Sequence, residues 1–160
     1  ARKAKFFMVE ESGVGPDHPF SGEKLSLALA LYRAKDFDAA IAREREILAF
    51  QGAGHSCGLH TRDMNHARRL AAELDVVRVL VNQAHTFGNG GSFDNGLNFT
   101  LSMGCGTWGG NSISENLNYR NFINMTHLST VIPEDKPTEE ELFGPYFARH
   151  GRGARAGTSG

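Results

Sequence analysis

Apolar runs alternate with amphipathic segments along the first half of the chain. Three apolar runs predict strands: Lys5 to Val9, Leu25 to Tyr32 and the β-branched Val76 to Val81. The first of them reads as a buried strand leaving a sheet, because a glycine- and proline-rich loop follows it. A further short strand is predicted over Ser56 to Thr61.

Two segments between these strands have helical spacing. Asp36 is placed to cap a helix that runs to about Phe50, and Asp63 is placed to cap a second helix. Their apolar stripes are Phe37, Ala40, Ile41 and Leu48 in the first, and Met64, Ala67, Leu70, Ala71 and Leu74 in the second. Strands that alternate with helices of this length predict parallel βαβ units, so the predicted fold class is α/β.

The regular pattern breaks in the second half. From Asn82 to Asn116 the chain is rich in glycine, and a connection of that length is usually functional. Phe122 to Ile132 alternates like an extended strand that comes too late to join the βαβ series. Thr138 to Glu141 then forms a capping box that opens a short acidic helix toward Phe147.

Composition narrows the class of protein. The 160 residues include 17 basic and 18 acidic side chains, and this net charge of -1 argues against a nucleic-acid or membrane-surface partner. Two cysteines are too few for a disulfide scaffold, so we expect a reducing, cytoplasmic setting. The apolar run near the start is too short for a signal peptide or a bilayer span, and its abruptness suggests a piece of something longer.

The stretch Leu101 to Asn116, LSMGCGTWGGNSISEN, concentrates glycines with the only tryptophan and one of the two cysteines. Its GCGTWG matches the dinucleotide pattern G-x-G-x-x-G, but no apolar helix follows Gly109, as that fingerprint requires. A nucleotide P-loop is excluded because the lysine is missing. We therefore predict a loop in which backbone packs closely, with Trp108 as its anchor, and interpret Cys105 as a residue that only looks like a nucleophile.

Four further residues invite chemical interpretations. His55, Cys57 and His60 lack zinc-ligand spacing, so no metal site is predicted and Cys57 reads as a small buried hydrophobe. His55 follows a helix end at the mouth of a strand, where a catalytic group and an idle polar histidine are both plausible. Glu23 is either an ordinary surface acid or a carboxylate that accepts the two hydroxyls of a ribose.

Several segments together resemble one enzyme family. They are Glu23-Lys24-Leu25-Ser26, Tyr32-Arg33-Ala34-Lys35-Asp36-Phe37, Gly54-His55-Ser56 and Gly104-Cys105-Gly106-Thr107-Trp108-Gly109-Gly110-Asn111-Ser112-Ile113-Ser114-Glu115-Asn116. They resemble the carboxyl-terminal part of the coenzyme A-acylating aldehyde dehydrogenases, which include the aldehyde-oxidising half of bifunctional aldehyde-alcohol dehydrogenases. The stretch from His127 through Lys136 to Tyr146 looks most like the acylating sulfoacetaldehyde dehydrogenase branch.

The resemblance implies a reaction and a division of roles. A cysteine thiolate attacks a small aldehyde, hydride passes to NAD or NADP, and coenzyme A takes the acyl group. Glu23 would hold the nicotinamide-side ribose, Leu25 would pack near the nicotinamide, and His55 would be an accessory acid/base. Gly104, Cys105 and Gly106 would line the substrate side.

The resemblance also implies an organisation. Residues 1–121 would be part of the catalytic domain, 122–133 an oligomerisation strand, 134–150 an acidic helix and 151–160 a disordered tail. A homo-oligomer would form through 122–132, whereas the nucleophilic cysteine and most of the cofactor domain would lie outside this chain. Two alternatives stay open: a non-catalytic oligomerisation or regulatory module, and a piece of a hydrolytic aldehyde dehydrogenase.

Overall fold

The computed structural model describes residues 4–152 and divides them into two units, one running to Asn124 and the other starting at Met125. The first unit contains β1 Phe7–Glu10, β2 Ala28–Leu31, α1 Phe37–Gln51, β3 Cys57–Leu59, α2 Met64–Glu73, β4 Val79–Val81 and α3 His85–Asn89. The second contains α4 Glu139–His150. From residue 153 onward, the predicted disordered tail lies outside the described residues. None of the helices in the described part of the chain is long and apolar enough to cross a membrane.

The strands form two separate parallel pairs. In one sheet β1 pairs with β2, with Phe7 opposite Ala28, and in the other β3 pairs with β4, with Cys57 opposite Val79. The α/β class is confirmed, and β3, α2 and β4 form a βαβ unit as predicted. The expected continuous series is wrong at α1, because β2 and β3 belong to different sheets. Instead, α1 packs Ile41 into the core beside the β3–β4 sheet.

The core lies between α1, α2 and the β3–β4 sheet. Its buried members are Ile41, Cys57, Leu70, Leu74 and Val76, with Phe37, Leu48, Leu59 and Val79 packed against them. Both predicted caps are confirmed: the Asp36 carboxylate accepts from Ala39 N at 2.8 Å, and the Asp63 carboxylate from Asn65 N at 2.9 Å. The apolar stripe of α1 is confirmed at its core-facing positions.

Two burial predictions are wrong. Met64 and Ala71 are exposed, because the core contacts of α2 are concentrated at Leu70 and at Leu74, which caps it. Strand β1 is also exposed, with Phe7 66% and Met8 58% accessible. A sheet of two strands has no neighbour to bury those side chains within the described chain, and none of the core residues comes from it.

The segment predicted as a late strand has no such structure in a single chain. Tyr119–Phe122 is a 3₁₀ turn, and residues 123–138 contain neither helix nor strand. A strand that pairs only with another subunit needs that subunit to form its hydrogen bonds, so the prediction for 122–132 stays a prediction. The capping box of α4 is confirmed, since Thr138 N donates to Glu141 Oε2 at 2.7 Å and Glu141 N donates back to Thr138 Oγ1 at 3.2 Å.

Candidate functional site

The glycine-rich stretch folds as an irregular hairpin, which the sequence pattern did not reveal. Met103 and Asn116 form an antiparallel bridge, and the Gly104 and Gly106 amides donate to the carbonyls of Glu115 and Ile113, both at 2.9 Å. The tip is a 3₁₀ turn, Thr107–Gly109, which returns on itself instead of opening a helix. The interpretation that GCGTWG is not a dinucleotide fingerprint is therefore confirmed.

Gly54 joins this hairpin to His55. Its φ is +106°, and a Cβ built on it would lie 2.5 Å from the Cys105 carbonyl oxygen and 2.8 Å from Gly109 N. Only glycine tolerates both the backbone angle and this close approach. The structure thus brings together two separately predicted features, the histidine after α1 and the loop at Gly104 to Gly106.

The buried side chain of Arg78 connects the hairpin to His55 through hydrogen bonds. It is 5% exposed, and its Nε donates to Asn116 Oδ1 at 2.7 Å. Its Nη1 donates to the carbonyls of Gly104 at 3.0 Å and His55 at 3.3 Å. One guanidinium, on the residue directly before β4, therefore contacts both the hairpin, at Gly104, and His55. Burial lowers the pKa of Arg78, and the hydrogen-bond acceptors named here are all uncharged.

Asn116 extends this link toward α3. Its Nδ2 donates to the carbonyls of Asn89 at 2.9 Å and Asn98 at 2.8 Å. Within residues 4–152, Arg78 Nη2 and Asn89 Oδ1 are buried side-chain atoms without a hydrogen-bond partner. Sequence reasoning missed Arg78 and Asn116. The available signal was a single charged residue inside the apolar run VVRVLV.

A polar cluster surrounds Ser56, the residue directly before β3. Its Oγ lies 2.6 Å from His55 Nδ1 and 2.9 Å from His85 Nε2, and it accepts from Asn89 Nδ2 at 3.0 Å. His55 is exposed. Burial, with a smaller contribution from neighbouring His55, lowers the pKa of His85. His55 is therefore held by an ordered network. The sequence had indicated Ser56 only as part of the segment Gly54-His55-Ser56, and it had not indicated His85 or Asn89.

The two cysteines occupy different environments, and both are free thiols. Cys57 is 2% exposed, as its interpretation as a buried hydrophobe predicted; burial, assisted by the Glu44 carboxylate, raises its pKa to about 12. Cys105 is partly exposed in the hairpin, and its amide donates to Asn111 Oδ1 at 2.8 Å. In the part of the chain that the structure describes, no group of three or more His, Cys, Asp or Glu side chains is placed to hold a metal ion.

The residues predicted at the cofactor lie in a turn before β2. Glu23 is exposed, and its amide donates to the side chain of Gln51, the last residue of α1, at 2.8 Å. Gln51 precedes His55 by four residues, so this turn is fastened to the helix end that leads into the site. Leu25 has a positive φ of 46° and is 92% exposed. The structure therefore presents an apolar side chain to solvent from a strained backbone.

Trp108 does not anchor the hairpin. Its side chain is 52% exposed, so the prediction that it fixes the loop is wrong. The close packing of Gly54 on the Cys105 carbonyl and the interior bonds of Arg78 fix the loop instead. The loop is therefore held by a backbone contact and a buried arginine rather than by the tryptophan.

Known proteins were compared with the chain in sequence and in structure. No family model matches it. It is 55% identical over 152 residues to "Sulfoacetaldehyde dehydrogenase (acylating)" of Cupriavidus necator, covering 95% of this chain and 31% of that protein. It is 38% identical over 147 residues to "Sulfoacetaldehyde dehydrogenase" of an Acholeplasma species, covering 92% of this chain and 30% of that one.

The structural comparison agrees with the sequence comparison. The crystal structure of an acetylating aldehyde dehydrogenase from Geobacillus thermoglucosidasius superposes with a TM-score of 0.73 at 30% identity, covering 84% of this chain and 29% of that one. The chain thus spans about a third of the length of each of these three relatives. In sequence and in fold, the chain is therefore similar to a segment of the acylating aldehyde dehydrogenases.

Proposed function

We propose that this chain is a segment of an acylating aldehyde dehydrogenase that converts a small aldehyde to an acyl-coenzyme A, with NAD or NADP as oxidant. The observation that carries the proposal is the 55% identity over 152 residues to an enzyme named as an acylating sulfoacetaldehyde dehydrogenase. Sulfoacetaldehyde is accordingly the first substrate to test. Two free thiols fit the reducing cytoplasm in which we place the protein.

The nucleophile of the proposed reaction lies outside the chain. Cys57 is buried, and a thiol with a pKa of about 12 stays protonated at neutral pH. The amide of Cys105 is tied to Asn111 and its carbonyl lies against Gly54, so this residue has a packing role in the hairpin. The chain then supplies one wall of the active site, formed by Gly104, Cys105 and Gly106.

His55 is the proposed accessory acid/base of this wall. It is exposed beside the hairpin, whereas its backbone carbonyl is held from below by Arg78. A neutral imidazole can accept the proton of a thiol. We assign it to the coenzyme A step because that cosubstrate brings the thiol.

Glu23 and Leu25 fit a nicotinamide cofactor. An exposed carboxylate can accept two ribose hydroxyls, and an exposed leucine offers an apolar surface to a flat ring. The strained φ of Leu25 supports a functional role, because such strain persists where a site requires a particular side-chain direction. When bound, the cofactor would supply the oxidising equivalent as hydride acceptor.

The segment 122–132 is the proposed oligomerisation strand. Its apolar side chains face solvent, with Phe122 75%, Leu128 93% and Val131 100% accessible. A second copy could bury them and complete the hydrogen bonds of an added strand. A homo-oligomer would thus explain an exposed apolar stretch that forms no strand in a single chain.

A chimera tests the proposed function. The chain would replace the matching segment of the Cupriavidus necator enzyme, and NADH formation would be followed with sulfoacetaldehyde, NAD and coenzyme A. We expect coenzyme A-dependent turnover from the chimera and none from the isolated chain. Turnover that does not depend on coenzyme A would favour a hydrolytic enzyme. Robust turnover by the isolated chain would contradict the proposal that the nucleophile lies outside it. A folded chimera without turnover would leave the chain as a non-catalytic module.

A further inference from the structure

The hydroxyl of Ser56 has three nitrogen neighbours, and it can donate its single hydrogen to only one of them. Its Oγ lies within hydrogen-bond distance of His55 Nδ1, His85 Nε2 and Asn89 Nδ2. A hydroxyl has one hydrogen to donate and two lone pairs to accept with, and an amide nitrogen can only donate. Asn89 therefore occupies one lone pair. One imidazole nitrogen must then accept the hydroxyl hydrogen, and the other must donate to the remaining lone pair.

The surroundings of the two rings decide which nitrogen accepts. Both histidines are exposed as whole residues, but the His85 ring packs against β3 so closely that a Cβ on Gly58 would lie 2.8 Å from its Nδ1. Burial lowers the pKa of His85, which favours the neutral ring that can accept through Nε2. His55 is exposed, and an Nδ1–H that donates to Ser56 is compatible with both its neutral and its charged form.

We propose that Ser56, held by Asn89 and His85, is a positioning residue that fixes His55 in its Nδ1–H tautomer and leaves Nε2 free as the base. The inference rests on the proposed role of His55 toward a thiol. Nε2 would take the proton of the S–H bond, whose electron pair stays on sulfur as a thiolate, and the imidazolium would keep its Nδ1–H bond to Ser56. Two other groups approach this histidine: Arg78, at its carbonyl, and Cys105, across Gly54.

Nitrogen-15 NMR of histidine-labelled chain tests the tautomer without substrate or cofactor. With both rings neutral, we expect His55 and His85 to show the Nδ1–H pattern. In Ser56→Ala, His55 should move toward the Nε2–H form that imidazoles prefer in water, whereas Ser56→Thr, which keeps a hydroxyl, should retain the wild-type pattern. His60, exposed beyond the end of β3, is the internal control and should not change.

Two results would overturn the inference. One is an Nε2–H tautomer at His55 in the wild-type chain, a reading that needs no variant and so survives any folding defect. The other is a His55 tautomer that is unchanged in a folded Ser56→Ala chain. Because these spectra need no turnover, the inference can fail while the chimera remains active, and the proposed function can fail while the tautomer is as expected.

Discussion

Arg78 Nε lies 2.7 Å from Asn116 Oδ1, and this bond joins two segments that are 38 residues apart in the chain. The same guanidinium holds the carbonyls of Gly104 and His55. The glycine hairpin and the histidine therefore keep their relative positions through one buried cation.

Arg78→Ala should destabilise the fold by about 3 kcal/mol or more, because it leaves the Asn116 amide oxygen and two carbonyls without their donor. Arg78→Lys should recover only part of the loss, since an ammonium cannot reproduce the fork of a guanidinium. Urea unfolding measures both. Arg68→Ala, on the exposed face of α2, should change stability by about 0.5 kcal/mol or less. Equal losses at Arg78 and Arg68 would contradict the link.

Gly54→Ala should cost more stability than Gly52→Ala. Both glycines have a φ of +106°, so the backbone penalty of about 1–3 kcal/mol applies to each. Only at Gly54 would the new Cβ meet backbone, whereas at Gly52 nothing lies within 4 Å. The difference between the two free energies of unfolding isolates the contact with the hairpin. No difference would mean that the hairpin does not pack on Gly54 in solution.

Leu25→Gly should maintain or raise stability, because it relieves a positive φ and gives up a side chain that is 92% exposed. In the chimera the same change should raise the KM for NAD. Leu27→Gly is the control: it removes another exposed leucine, 70% accessible, and should lower stability without the same effect on NAD. An unchanged KM for NAD in Leu25→Gly would remove Leu25 from the cofactor site.

Cys57 should make stability fall at high pH. An unfolded thiol ionises near 9.0, whereas the folded one holds its proton to about 12. The unfolded state then binds fewer protons across that window, so stability declines as pH rises from about 9 toward 12, by at most about 1.4 kcal/mol per pH unit. Cys57→Ala should lack this added slope, whatever its stability at neutral pH. If the free energy of unfolding fell equally with pH in both proteins, the raised pKa of Cys57 would be refuted.

Leu128→Glu should weaken self-association. The side chain is 93% exposed in a single chain, and a charge there would be buried at the proposed interface. Light scattering of the chimera measures the oligomer mass. Leu101→Glu, at a leucine that is 98% exposed outside the segment, should leave the mass unchanged. A mass that both variants leave unaltered would place the interface elsewhere.

The sequence predicted those features that local chemistry determines. The Asp36 and Asp63 carboxylates and the Thr138 capping box act within a few residues, so their patterns suffice. Glycine enrichment also predicted close backbone packing from Gly104 to Gly106, although not a hairpin. The resemblance to the family rested on whole segments and is confirmed by both comparisons.

The features that were missed depend on contacts distant in sequence. Arg78 reads as an interruption of an apolar strand until Asn116 meets it 38 residues later. His85 and Ser56 are 29 residues apart, and the sequence around either residue does not predict their hydrogen bond. Exposure of Phe7 was missed for a related reason, because an apolar run looks the same whether or not a neighbouring element covers it.

The most direct test of the central claim compares two variants of the chimera, Cys105→Ser and His55→Ala, in the rate of NADH formation with saturating coenzyme A. If the chain supplies one wall and the nucleophile lies outside it, Cys105→Ser keeps most of the activity. His55→Ala then loses tenfold or more, as expected on removal of a general acid/base, and His60→Ala stays at the unmodified rate. Loss of turnover in Cys105→Ser together with full activity in His55→Ala would contradict the account.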